Sequence, residues 1–339
     1  MVFILRLFRT CSLILGLALT FSACTKKPDR PTVWIYTSLY PEVVSSMEPL
    51  LAQAFPDFEV KFFQGGSETI AARVNAELSG GKTQADLLLT SDPFWYQELK
   101  KGGHLLPYAS PAAAQVPAEW KDPDSAYITV RVPVMVLGVN SKSVPQAQAP
   151  RRWKDLESPE WKGKLSMGSP LESGTTFTAI AVFEKTMGWN FIEVLRKQDM
   201  LSAGGNSAVL SRIETGERPV GILLLENLLK AKQKGSPVEV IYPEDGVLPI
   251  PSPIAITSKT AHPELARKVV DWFFSEQAQR EMVKSGLYSA LPLDLTPPGG
   301  RPWSELKKSS IRFDAELISL LFPEREKTKT KFQTLWLGG

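Results

Sequence analysis

Three stretches of this sequence place glycine beside a hydroxyl or amide side chain directly before a helical pattern: Gly65-Gly66-Ser67, Ser173-Gly174-Thr175-Thr176 and Gly204-Gly205-Asn206-Ser207. The first N–H groups of a helix lack partners within it, and the helix dipole is positive there. Such a start favours an anion, which glycine lets approach closely and to which Ser or Thr adds a donor. Taken singly, each stretch is an ordinary N-cap. Taken together with Ser38, at the end of the first apolar run, they make an anion seat if they face one cleft. No cluster of arginines accompanies them, so neutral donors are expected to carry the recognition, which suits phosphate or phosphonate.

The elements that must hold these starts alternate. Thr32 to Ser38 reads as a strand, followed by a helix from Pro41 with Val44, Met47, Leu51 and Ala54 at helical spacing. Phe58 to Phe63 is a second strand, Ser67 to Leu78 a helix, Asp86 to Thr90 a third strand, and Pro93 opens the next helix. This order implies a parallel α/β sheet with helices on both faces, in which ligands bind at the carboxyl ends of the strands. The run Tyr127 to Asn140 is too long for one ordinary strand and is interrupted by Pro133, so it is expected to cross into a second lobe. A second α/β set follows, with helices from about Thr175 to Met187 and Ser207 to Thr215 and strands Val220 to Leu225 and Val238 to Tyr242. Pro251-Ser252-Pro253 and Ile254 to Thr257 suggest the return.

Composition narrows the classes. The N-terminus reads as a secretory signal over residues 1–23: Arg6 and Arg9 precede an apolar run from Cys11 to Ala18, and Phe21-Ser22-Ala23-Cys24 forms a lipobox whose Cys24 would take a diacylglycerol. The run is shorter than the roughly 20 residues of a bilayer span. Residues 24–31 would then be a lipidated tether, and the protein anchored to a bacterial membrane on its outer side. Loss of Arg6 and Arg9 takes the formal charge from +3 to +1, which argues against a nucleic-acid partner. The Lys327–Lys331 stretch reads as a solvated helix end. No disulfide pair remains beside Cys24, and His104 and His262 lie in no metal-ligand pattern. Ser79-Gly80-Gly81-Lys82-Thr83 imitates a phosphate loop but has Ala76 where its first glycine belongs, so it reads as a turn. No nucleophile elbow or paired acid and base is visible. No metal or cofactor is expected, and an enzyme, such as a secreted hydrolase or transferase acting on a phosphorylated substrate, is the reading of another class.

In order and spacing, Val33-Trp34-Ile35-Tyr36-Thr37-Ser38, Ala85 to Asp92, Trp153-Lys154-Asp155-Leu156 through Lys164, Ser173 to Thr176, Gly205 to Val209 and Pro251 to Ile256 resemble the family 1 extracellular solute-binding proteins related to ferric-ion-binding proteins. The resemblance spans nearly the whole mature chain. It implies a two-lobed type II periplasmic-binding fold, residues 32–132 plus about 252–312 forming one lobe and 133–251 plus about 313–339 the other. It also implies a protein that closes around a small anionic organic solute and delivers it to an ABC permease and ATPase; a monomer is expected. In the iron binders, positions matching Ser173, Gly174, Thr175 and Asn206 hold a phosphate or other anion, and two adjacent tyrosines bind the metal. Here the tyrosine pair falls on Glu226-Asn227 and the early histidine ligand near Tyr40, so the anion seat is kept and the iron seat lost. Glu226 and Asn227 would bond sugar hydroxyls or an amine, or merely cap a helix. Ser38, Ser67, Ser207, Thr176, Tyr40 and Glu68 complete the nominated set. A phosphorylated or phosphonate solute, such as a sugar phosphate, is expected, with ferric iron as the alternative.

Overall fold

The computed structural model describes residues 30–338; the expected signal, Cys24 and the tether up to residue 29 lie outside them. The chain begins with β1 (Thr32–Thr37), α1 (Pro41–Ala54), β2 (Glu59–Gln64), α2 (Ser67–Ser79), β3 (Leu87–Leu89), α3 (Pro93–Lys101), β4 (Leu105–Leu106) and β5 (Ile128–Val132). There follow β6 (Val134–Asn140), β7 (Leu165–Met167), α4 (Gly174–Met187), α5 (Trp189–Lys197), β8 (Leu201–Ser202), α6 (Asn206–Thr215), β9 (Val220–Leu224), α7 (Leu225–Gln233), β10 (Val238–Ile241) and β11 (Leu248–Pro249). Last come β12 (Ser252–Thr257), α8 (Pro263–Phe273), α9 (Glu276–Lys284), β13 (Tyr288–Ser289), α10 (Trp303–Leu306), α11 (Ala315–Leu321) and α12 (Arg325–Leu337).

Two sheets result, β13-β5-β12-β3-β1-β2 with β4 beside β12, and β10-β6-β9-β7-β8 with β11 beside β6. Pro133 separates β5 from β6 and so divides the long apolar run between the sheets. Proline has no N–H to continue a ladder, though its carbonyl still accepts from Ile250 N at 2.8 Å. Pro251 stands likewise between β11 and β12. The expected parallel pairing holds for the strands from which it was read, and the returning strand adds an antiparallel one. β1 runs parallel to β2 and β3, whereas β12 is antiparallel to both β3 and β5, because the returning chain enters the sheet from the opposite end.

Burial on both sheet faces accounts for the continuous apolar strands; every residue of β6, β9 and β12 is buried. Gly174 to Phe183 of α4 are buried without a break, which explains why that helix shows little amphipathic pattern. The Ser79–Thr83 stretch is the turn expected, with Gly80 capping α2 and Gly81 at φ 87°. Among the described residues, no helix is long and apolar enough to cross a membrane.

Candidate binding cleft

A cleft of about 360 Å3 lies where both sheets present strand ends. Five helix starts line it: Tyr40 and Pro41 of α1, Gly66 and Ser67 of α2, Ser173 of α4, Gly205 and Asn206 of α6, and Leu224 and Glu226 of α7. Each contributes N–H groups and a positive dipole end to the same volume.

The α4 and α6 starts are locked to each other. Ser173 Oγ accepts from Thr176 N at 3.3 Å and lies 3.1 Å from Thr175 Oγ1. Asn206 Nδ2 donates to Thr175 Oγ1 at 3.0 Å, while Asn206 Oδ1 accepts from Leu224 N at 3.2 Å. On the opposite wall, Ser67 Oγ accepts from Ser91 N at 3.4 Å. These bonds fix hydroxyls and an amide in position, so little ordering remains to be done when an anion arrives.

Arg131 on β5 corrects the expectation that neutral donors act alone. It is 3% exposed and lines the cleft. Its Nη2 donates to Ser91 Oγ at 2.9 Å and to Ser38 Oγ at 3.5 Å, and Ser91 Oγ in turn accepts from Ser252 Oγ at 2.9 Å. Among the described residues, Arg131 Nε has no hydrogen-bond partner and no carboxylate forms an ion pair with the guanidinium. Burial pulls its pKa below the usual guanidinium range, with Glu226 opposing. A lone Arg within the apolar run Ile128–Val132 was the available signal.

Glu226 is the complementary anomaly. It lies in the first turn of α7, 1% exposed, and neither carboxylate oxygen has a hydrogen-bond partner. Burial raises its pKa to about 7, with the Arg131 charge pulling the other way. Between α1 and α7, Tyr40 Oη donates to Asn227 Oδ1 at 2.8 Å and Lys230 Nζ meets Glu42 Oε1 at 2.9 Å. Burial holds the Tyr40 phenol above its ordinary range, and Glu226 adds to this.

The nominated residues therefore separate. Ser38, Tyr40, Ser67, Ser173, Thr175, Asn206, Ser207 and Glu226 line the cleft. Asn227 stands behind as the partner of Tyr40, and Thr176 donates its backbone N–H to Ser173. Glu68 turns away into an ionic cluster: Lys329 Nζ is 2.8 Å from Glu68 Oε2, and Arg325 Nη2 is 2.8 Å from Asp92 Oδ2. Burial and the nearby Asp92 push the Glu68 carboxyl up, against the pull of Lys329 and Arg325. Lys329 is thus largely covered and Lys331 is half-buried between Glu184 and the Trp189 ring, so of the three lysines only Lys327 keeps the solvated character expected of the 327–331 stretch. Sequence reasoning missed Arg131, Ser91, Gln64 and Glu172, all of which line the cleft.

Gly174 serves the approach of α4 to the α2 and α3 starts. A Cβ there would sit 2.6 Å from Asp92 Cβ, 3.0 Å from Ser67 Cβ and 3.2 Å from Ser91 O. Overpacking of this kind costs about 1–3 kcal/mol. Gly174→Ala is therefore expected to weaken solute binding by roughly 5- to 150-fold and to enlarge the radius of gyration in small-angle scattering. An unchanged affinity and radius would show that the two walls need not come this close.

The profile of the bacterial extracellular solute-binding proteins matches residues 82–307. A periplasmic protein of Salmonella paratyphi A named for binding 2-aminoethylphosphonate is 23% identical over 248 residues, 70% of this chain and 71% of its own. The periplasmic binding protein AfuA of Actinobacillus pleuropneumoniae, solved with fructose-6-phosphate, superposes with a TM-score of 0.76 at 22% identity, covering 91% of this chain and 99% of that one. Iron-bound HitA of Pseudomonas aeruginosa superposes with a TM-score of 0.77 at 20% identity, covering 89% and 99%. The structural likenesses establish the type II periplasmic-binding fold.

Proposed function

The chain belongs to the bacterial extracellular solute-binding proteins, and from that premise we propose that it captures a small organic solute bearing a phosphoryl or phosphonate group. Proteins of this kind work outside the cytoplasmic membrane and hand their solute to the permease and ATPase of an ABC importer. The observation that carries the reading is the convergence of five helix starts and the buried Arg131 on one cleft. A tetrahedral oxyanion offers three oxygens and accepts from backbone N–H groups, Ser and Thr hydroxyls and a guanidinium alike.

Closure follows from the distribution of these donors. Residues 32–132 with 252–312 would move as one body and 133–251 with 313–339 as the other, about Pro133 and Pro251. Ser38, Ser67 and Arg131 belong to the first body, and Ser173, Thr175, Asn206 and Ser207 to the second. A bridging anion binds the closed arrangement better than the open one, and that difference shifts the equilibrium. Cys24 would carry the lipid that keeps the protein at the membrane. The protein acts as a binder and not as a catalyst in this reading.

The test is a thermal-shift screen of hexose phosphates, alkyl- and aminoalkylphosphonates, inorganic phosphate and ferric iron with citrate. Binding to the native state raises the melting temperature by mass action. A rise with phosphoryl compounds that disappears in Ser173→Ala and Asn206→Ala is expected. A rise with ferric iron alone would replace this reading with iron capture through Tyr40 and the cleft carboxylates.

A further inference from the structure

We propose, on the premise that the cleft seats a phosphoryl group, that the solute also carries a protonated amine, received by Glu226. Buried polar groups in native proteins are nearly always hydrogen-bonded, and a buried carboxylate left unpaired is costly. Both oxygens of Glu226 lack a partner although the residue is 1% exposed and lines the cleft. A carboxylate accepts about four hydrogen bonds, so the side chain is equipped for a donor-rich group.

Among the described residues, no side chain of the surrounding elements donates to Glu226. Arg131 on β5 spends Nη2 on Ser91 and Ser38, and its remaining buried donor, Nε, makes no hydrogen bond to the carboxylate. Tyr40 at the start of α1 donates its hydroxyl to Asn227. Lys230, one turn further along α7, is paired with Glu42. From the loop between α9 and β13 comes only Gly286 at φ 93°, where a Cβ would stand 2.7 Å from Glu226 Cβ. The donors that Glu226 accepts must therefore enter through the cleft.

Charge selects the kind of donor. The two buried ionisable groups facing the cavity, Arg131 and Glu226, cancel one another formally. A phosphoryl group adds about two negative charges, and a neutral solute tail would leave the Glu226 carboxylate facing that excess without a counter-charge. An ammonium group supplies three donors and the missing positive charge. A hydroxyl supplies donors alone.

The experiment is titration calorimetry of the purified protein at pH 8 with 2-aminoethylphosphonate, propylphosphonate and glucose 6-phosphate, repeated at pH 6. The amine stays protonated throughout, as a lysine does; because the ammonium acidifies the neighbouring phosphonate, the part of the pH dependence owed to Glu226 is read as the difference between the parent protein and Glu226→Gln with the same ligand. The aminophosphonate is expected to bind roughly 30-fold or more tightly than propylphosphonate at pH 8, with the ratio shrinking at pH 6 as Glu226 takes a proton. Glu226→Gln is expected to bring the ratio close to one, the aminophosphonate losing affinity and propylphosphonate, no longer facing a like charge, gaining it. Equal binding of the two phosphonates, a preference surviving in the variant, or tighter binding of glucose 6-phosphate would overturn the amine and keep the phosphoryl seat. Failure of every phosphoryl probe would overturn both.

Discussion

Replacing Arg131 by methionine is expected to weaken binding of a phosphoryl solute by roughly 30- to several-thousand-fold, because truncating one partner of a buried charged pair costs about 2–5 kcal/mol. The same substitution is expected to leave the melting temperature of the solute-free protein unchanged or raised. Arg131 is 3% exposed and makes no ion pair among the described residues, so the fold carries a desolvation cost that Glu226 offsets only in part and that methionine of similar length removes. Lost in exchange are its bonds to Ser91 and Ser38 and its electrostatic pull on Glu226, which answers by holding its proton more firmly. Calorimetry and thermal melts on one preparation separate the two effects. Parallel losses of affinity and stability would instead make Arg131 a structural strut of the β5 wall. Arg131→Lys should fall between, since an ammonium keeps the charge but not the planar fork.

The second large effect concerns Glu226 and pH. Its pKa is about 7 in the folded protein against an ordinary 4.5, so between those values the folded state holds a proton that the unfolded state has released. Stability therefore falls as pH rises from about 4.5 to about 7 and stays at the lower level above it, by about 3 kcal/mol in total. Glu226→Gln removes this contribution. The variant and the parent should melt together near pH 5, and at pH 8 the variant should melt roughly 5 °C higher. An offset that does not vary with pH would place the effect in packing around Gly286 and not in ionisation. Binding should run the opposite way, because the ionised carboxylate that destabilises the solute-free protein is the form that receives a cation. Stability given up at this position is then specificity gained, the pattern expected where a local rule is broken at a functional site.

Much of the cleft was readable locally. Ser173-Gly174-Thr175-Thr176 and Gly204 to Ser207 announce helix starts through cap chemistry that operates within about four residues, and α4 and α6 begin at Gly174 and Asn206. The sequence also located the break at Pro133, since a missing N–H acts wherever that residue stands. Glu226 stood out by its place in the family pattern, yet nothing nearby in sequence shows that its oxygens are unpartnered.

What the sequence by itself determined is whatever depends on short range or on period: helix starts, apolar strands, the alternation that yields an α/β fold, and the ordered segments that mark the family. The direction of β12 was decided only in three dimensions, because it depends on the end from which a returning chain meets the sheet. The same holds for Glu68, whose partner Lys329 lies 261 residues away and turns it out of the cleft. It holds also for Arg131 and Glu226, on β5 and α7, which become a facing pair of buried charges once the two sheets present their strand ends to one volume. Burial and ionisation are properties of the whole surroundings of a side chain, and those surroundings come from segments that the sequence keeps far apart.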